Sequence, residues 1–158
     1  MKRHAFTSSL ALLLLAACAA PSTLDPTAQA SVPVLVKLNA TAYNAGEIGQ
    51  ASLIADKGST RIVLNFSGVP PNTTRPVHVY TYIYEGTCSQ LPETPAYSLT
   101  DKVLVSSATG MATRAPFTLS HSVSAPLDDL LSGRYALALR SAPADGNWVI
   151  YCGELRRS

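Results

Sequence analysis

The chain has 158 residues, 47% of them hydrophobic and 14% charged, with twelve basic residues against ten acidic. No cluster or stripe of Lys and Arg occurs, so the electrostatic footprint of a nucleic-acid binder is missing. About 125 residues remain beyond an N-terminal leader and linker, enough for one domain with its own core.

Lys2 and Arg3 precede an apolar run, Leu10 to Ala17, which is the layout of a secretory signal peptide. A spanning helix needs about 20 apolar residues, and this run is too short. It closes on Leu15-Ala16-Ala17-Cys18, which resembles the bacterial lipobox, where cleavage precedes a cysteine that carries lipid. The resemblance implies a lipoprotein signal peptide over residues 1–17 and lipidation of Cys18. A single acyl chain anchors only marginally, whereas lipoproteins of this type carry several. Ala19 stands where an enteric inner-membrane retention signal places Asp. The expected location is therefore the bacterial envelope, at the outer membrane, with the bilayer as partner through the N-terminal lipid.

Loss of the leader removes Lys2 and Arg3, leaving ten basic residues against ten acidic and a net charge near zero. It also removes His4, so the mature chain holds only His78 and His121. With Cys18 claimed by lipid, Cys88 and Cys152 are left. In an oxidising compartment the expectation is that they pair, the alternative being two free buried thiols. The loop they would close, about 64 residues, is worth roughly 4 kcal/mol in the chain-entropy account.

Residues 18–31 are rich in Ala, Ser, Thr and Pro without apolar periodicity, and read as a flexible tether. The domain is expected over 32–158. Strands are predicted at Val34–Asn39 and Glu47–Ala55, then an Asp56-Lys57-Gly58 turn. Thr60–Ser67 alternates, with Ile62, Leu64 and Phe66 on one face and Arg61 and Asn65 on the other. Val77–Glu85, Lys102–Ser106, Ala115–Val123, Arg134–Arg140 and Trp148–Glu154 complete about eight strands. The only helical signal lies between Pro126 and Gly133, with Asp128 and Asp129 early and glycine at the end. The fold class is all-β: a Greek-key β-sandwich or barrel of antiparallel strands with one short helix.

Three stretches in order resemble the copper/zinc superoxide dismutase fold and the related chordin-type domain. The first is Ser67-Gly68-Val69, then Pro76-Val77-His78-Val79-Tyr80, then Gly86-Thr87-Cys88. The second is Leu127 to Arg140, with Gly133-Arg134-Tyr135 at its centre; the third is Tyr151-Cys152-Gly153-Glu154-Leu155. The resemblance spans roughly Val34 to Leu155 and implies a disulfide between Cys88 and Cys152. It also implies a copper site built from an H-x-H pair and a later histidine. Here those positions read His78, Tyr80 and Arg140, a phenol and a cation in place of two imidazoles. No zinc-ligand insertion follows Cys88, and the guiding arginine of dismutases is Val149. Two histidines do not rebuild a bimetallic centre, so no dismutase activity and no bound cofactor are expected.

Three functions are weighed. The leading one is a non-catalytic envelope lipoprotein acting through binding or structure, with an unidentified protein or small-molecule partner. The second is a copper- or metal-binding protein with a residual site drawn from His78, His121 and Tyr80. The third is an enzyme inhibitor or adhesion module using Tyr80, Tyr82 and Tyr84, which alternation places on one face with His78. Ser120-His121-Ser122 and Asp128 hold triad residue types without a G-x-S-x-G elbow, so nucleophilic catalysis has no support. Trp148, in phase with Ile150 and Cys152, is expected as a core plug beside the disulfide.

Overall fold

The computed structural model of the protein describes residues 32–107 and 116–157. The leader, the tether and Cys18 lie outside the described residues, as does Ala115. The described chain forms eight antiparallel strands in the order β5-β4-β7-β8-β1-β2-β3-β6. These are β1 (Val34–Ala40), β2 (Ile48–Asp56), β3 (Ser59–Ser67), β4 (Val77–Glu85), β5 (Tyr97–Ser106), β6 (Pro116–Val123), β7 (Ser132–Ser141) and β8 (Val149–Arg156). The two end strands, β5 and β6, lie alongside each other without a hydrogen-bonded ladder, so the sheet curls into a nearly closed barrel. Strands β4, β5 and β6 follow one another round it and β7 returns beside β4, the Greek-key order.

Local sequence explains most of these elements. Lys57 and Gly58 both take positive φ, 46° and 86°, as a two-residue type I′ hairpin requires. That turn locks the β2–β3 register, in which Leu53 faces Ile62 and Ala51 faces Leu64. Alternation then sends Thr60, Ile62, Leu64 and Phe66 inward from β3, and Val77, Val79, Thr81 and Ile83 inward from β4. With Leu38, Leu53, Leu137, Leu139 and Tyr151 they fill the barrel. The one α-helix among the described residues, α1 (Leu127–Leu130), is a single turn that buries Leu127 and Leu130 in the same core. The inward hydroxyl of Thr60 donates to Ala125 O at 2.8 Å, tying the approach to α1 onto β3.

Two sequence expectations are corrected. β5 begins at Tyr97 rather than Lys102, because its first half mixes buried Leu99 with exposed Ser98, Thr100 and Asp101. Trp148 is not a core plug: it is 46% exposed. Trp148 lies just before β8, which begins at Val149, and stacks on Tyr43 instead of entering the barrel. The shared face with Ile150 and Cys152 is also lost to a bulge in the β7–β8 ladder, where Leu139 pairs with Tyr151 and Arg140 with Val149. Ile150 is the extra residue and turns into the core, while Cys152 faces the outer cluster.

A second, smaller cluster lies on the outer side of β4, β7 and β8. Tyr84, Ala136, Ala138 and Cys152 are buried there, with Tyr82, Cys88, Leu91 and Val149 packed against them. The small alanines leave room for the β4–β5 connection to fold back over the sheet. The disulfide between Cys88 and Cys152 holds that connection down, and the Cys88 N–H donates to Glu154 Oε1 at 2.8 Å.

Candidate functional site

The positions that a dismutase-like reading assigns to copper come together on the outer face of β4 and β7. Tyr80 of β4 is paired directly opposite Arg140 of β7. Arg140 lays its guanidinium 5.5 Å above the Tyr84 ring and donates through Nη1 to Asn147 O at 3.0 Å. His78 and Tyr82 flank Tyr80 on the same face, all three half-buried. Tyr82 titrates above its ordinary range, chiefly through partial burial, with Tyr84 and Tyr80 adding to the rise and Arg140 opposing it.

His121 lies elsewhere. It points from β6 into the barrel, 1% exposed, with Nε2 3.1 Å from Thr81 Oγ1. Thr81 is inward on β4 whereas His78 is outward, so the two imidazoles occupy opposite sides of one strand. The residual metal site drawn from His78, His121 and Tyr80 is therefore not assembled, because strand alternation separates its members. Among the described residues no group of three or more His, Cys, Asp or Glu side chains could hold a metal ion.

The other sequence candidates divide similarly. Tyr84 is 3% exposed, under the β4–β5 connection and the Arg140 guanidinium, so it drops out of any binding face and leaves Tyr80 and Tyr82. Asp128 pairs with Arg157, and the carboxylate beside His121 is Asp101 of β5, with Oδ1 3.7 Å from Nδ1. That separation is too long for a hydrogen bond. Burial pushes the His121 pKa down, with Lys102 adding to the fall, while Asp101 partly offsets it. The residue types of a catalytic triad are thus not combined.

Sequence reasoning missed one constellation outright. Tyr43, on the 3-10 turn Ala42–Asn44, stacks on Trp148 with ring centroids 4.5 Å apart and planes 20° apart. Both rings border a cavity of about 280 Å³ with Pro70, Asn72, Thr73 and Asp145. The two aromatics are far apart in sequence and both lie outside the strands, Tyr43 on its turn and Trp148 just before β8. The exposed tryptophan is the sole signal that could have found it.

Comparison of the chain with family models, with curated proteins and with solved structures gives no match.

Proposed function

We propose that the protein is a lipid-anchored envelope lipoprotein whose dismutase-like barrel has exchanged metal chemistry for binding. The observation that carries this reading is Tyr80 standing opposite Arg140, with His78 and His121 on opposite sides of β4. A neutral phenol binds metal poorly and a guanidinium repels it, so the substituted positions disfavour copper. The order of the three dismutase-like stretches and the pairing of Cys88 with Cys152 support the likeness. The leader ending in Leu15-Ala16-Ala17-Cys18 supports the anchor.

Metal analysis of the full chain, purified from bacteria grown with added copper and zinc, tests the first half. We expect metal well below one ion per chain; stoichiometric copper lost on His78→Ala would overturn the reading. Membrane fractionation tests the anchor. Wild-type protein should sediment with membranes and Cys18→Ser should not, and equal partitioning of the two would remove the lipoprotein assignment.

A second reading, an inhibitor or adhesion module, draws on the half-buried Tyr80 and Tyr82 beside Arg140, since Tyr and Arg anchor many interfaces. A partner whose binding survives Tyr80→Ala and Tyr82→Ala would remove that face from consideration.

A further inference from the structure

We propose that Tyr43, Trp148 and Asp145 form a saccharide-binding shelf that takes a neutral pyranose ring. The inference deepens the binding role proposed above and rests on it, but on neither the lipid anchor nor the likeness to dismutases.

Two large rings stacked on each other and still 48% and 46% exposed are held in place rather than left loose. The Trp148 backbone N–H donates to Ser141 Oγ at 2.9 Å, fixing the main chain that carries the indole. The indole lies against Gly146, where an added Cβ would fall 2.4 Å from Nε1; that glycine also has φ of 88°. On the other side, Thr41 donates through Oγ1 to Val149 O and through its N–H to Ile150 O, fixing the turn that carries Tyr43 to β8. The shelf is thus preorganised on the barrel, which lowers the ordering cost of binding.

The polar side of the cavity identifies the ligand class. Asp145 accepts the Thr74 N–H at 2.9 Å and the Thr74 hydroxyl, both on Oδ1. These bonds hold the carboxyl below its ordinary range, with nearby His78 adding to the effect, so it is ionised at neutral pH. Its Oδ2 is buried and finds no hydrogen-bond partner among the described residues. A buried carboxylate oxygen left unpaired calls for a donor from outside. An apolar ligand would leave it bare. A polycation would expect more than one acid, yet among the described residues Asp145 is the only charged one bordering the cavity. A sugar ring meets both demands: its polarised C–H face suits the negative face of an aromatic ring, and its hydroxyls donate to the carboxylate. Asn72 and Thr73 border the cavity with further donors and acceptors.

Trp148 is the only tryptophan in the chain, so its emission reports directly on the shelf. The full chain, held in a detergent without a sugar headgroup, is titrated with chitotetraose, maltotetraose and cellotetraose. A proline-rich decapeptide and a lysine-rich decapeptide are titrated alongside. We expect a saturable emission change with at least one oligosaccharide, with affinity falling about tenfold or more in Tyr43→Ala and in Asp145→Asn. Asn72→Phe, which places a bulky ring at the cavity wall without adding a second tryptophan, should abolish binding even if Tyr43→Ala folds poorly. No saturable change with any oligosaccharide overturns the proposal. So does saturation by a peptide alone, or sugar binding that survives both Asp145→Asn and Asn72→Phe. Stoichiometric copper in the same preparation would overturn the proposed loss of metal chemistry and leave the shelf standing.

Discussion

His121 Nε2 meets Thr81 Oγ1 at 3.1 Å across the barrel interior, so the seam between β5 and β6 is spanned from inside by an imidazole. Burial makes the neutral ring the favoured form, with Lys102 acting the same way and Asp101 against it. An imidazole in the unfolded chain takes its proton near 6.5, and the folded one takes it lower. Between those two points the unfolded state binds more protons, so stability is complete above about 6.5 and declines as pH falls. Urea midpoints at pH 7.5 and 5.5 should therefore differ in the wild type. They should differ much less in His121→Gln, which cannot titrate. Asp101→Asn should steepen the decline, and a flat wild-type profile would contradict this account. His121→Ala should cost about 2–4 kcal/mol, through a cavity and an unpaired Thr81 hydroxyl.

The disulfide joins Cys88 in a connection to Cys152 in a strand, 64 residues apart. Closing a loop of that length contributes about 4 kcal/mol in the chain-entropy account. The Cys88→Ser, Cys152→Ser double variant should have a urea midpoint lowered in proportion. Because the bond also holds the β4–β5 connection over Ala136 and Ala138, reduction should open residues 86–96 to proteolysis before the barrel unfolds. Uniform cleavage across the chain on reduction would show that the connection is held by packing alone.

Gly153 is a position where the barrel wall has no room for a side chain. A Cβ there would lie 2.5 Å from Lys37 O and 2.9 Å from Leu38 Cδ2, where β8 runs beside β1. The first of these atoms is backbone and cannot swing aside. Gly153→Ala should therefore destabilise by roughly 2 kcal/mol or more through overpacking. Thermal unfolding should show a lower midpoint, whereas Gly58→Ala, which meets open space, should pay only for its φ of 86°.

Much of the barrel was legible because alternation is a local property. Ile62, Leu64 and Phe66 point inward from β3, and Val77, Val79 and Ile83 from β4, as a period of two requires. The short helix was marked by its own residues, although it makes a single turn. Legibility failed where one residue changed the phase: the bulge at Ile150 puts Ile150 and Cys152 on opposite sides of β8, so the face that Trp148 was expected to share with both does not exist, and no propensity announces a bulge. Tyr84 failed for a different reason. Its parity was right, but the outer face it occupies is roofed by a connection whose path depends on the disulfide. The partners of His121 come from β4 and β5, and Tyr43 and Asp145 join Trp148 from separate loops. Such meetings are products of topology and leave no local trace.

Tyr151 is fully buried in the core, and its hydroxyl bonds to Ile48 O, at 3.1 Å, and to Ser67 O. It thereby ties β8 to the facing ends of β2 and β3. Tyr151→Phe keeps the ring and its packing on Phe66 but removes the single O–H shared by the two carbonyls. The expected loss is about 1–3 kcal/mol, read as a lower urea midpoint at unchanged slope. The phenol also has a pH signature. Burial, with Glu47 nearby, pushes its pKa up to about 12, against the opposing pull of its hydrogen bonds. An unfolded tyrosine ionises near 10, so the native state holds the proton longer. The stabilisation is complete below pH 10 and is lost as pH climbs toward about 12. Tyr82 and Tyr97 are raised too and act in the same direction, so the wild-type curve alone does not isolate the effect. The difference between wild type and Tyr151→Phe does: their stabilities should lie furthest apart below pH 10 and converge above it. A gap that stays constant through this range would mean that the Tyr151 hydroxyl is not the group losing its proton.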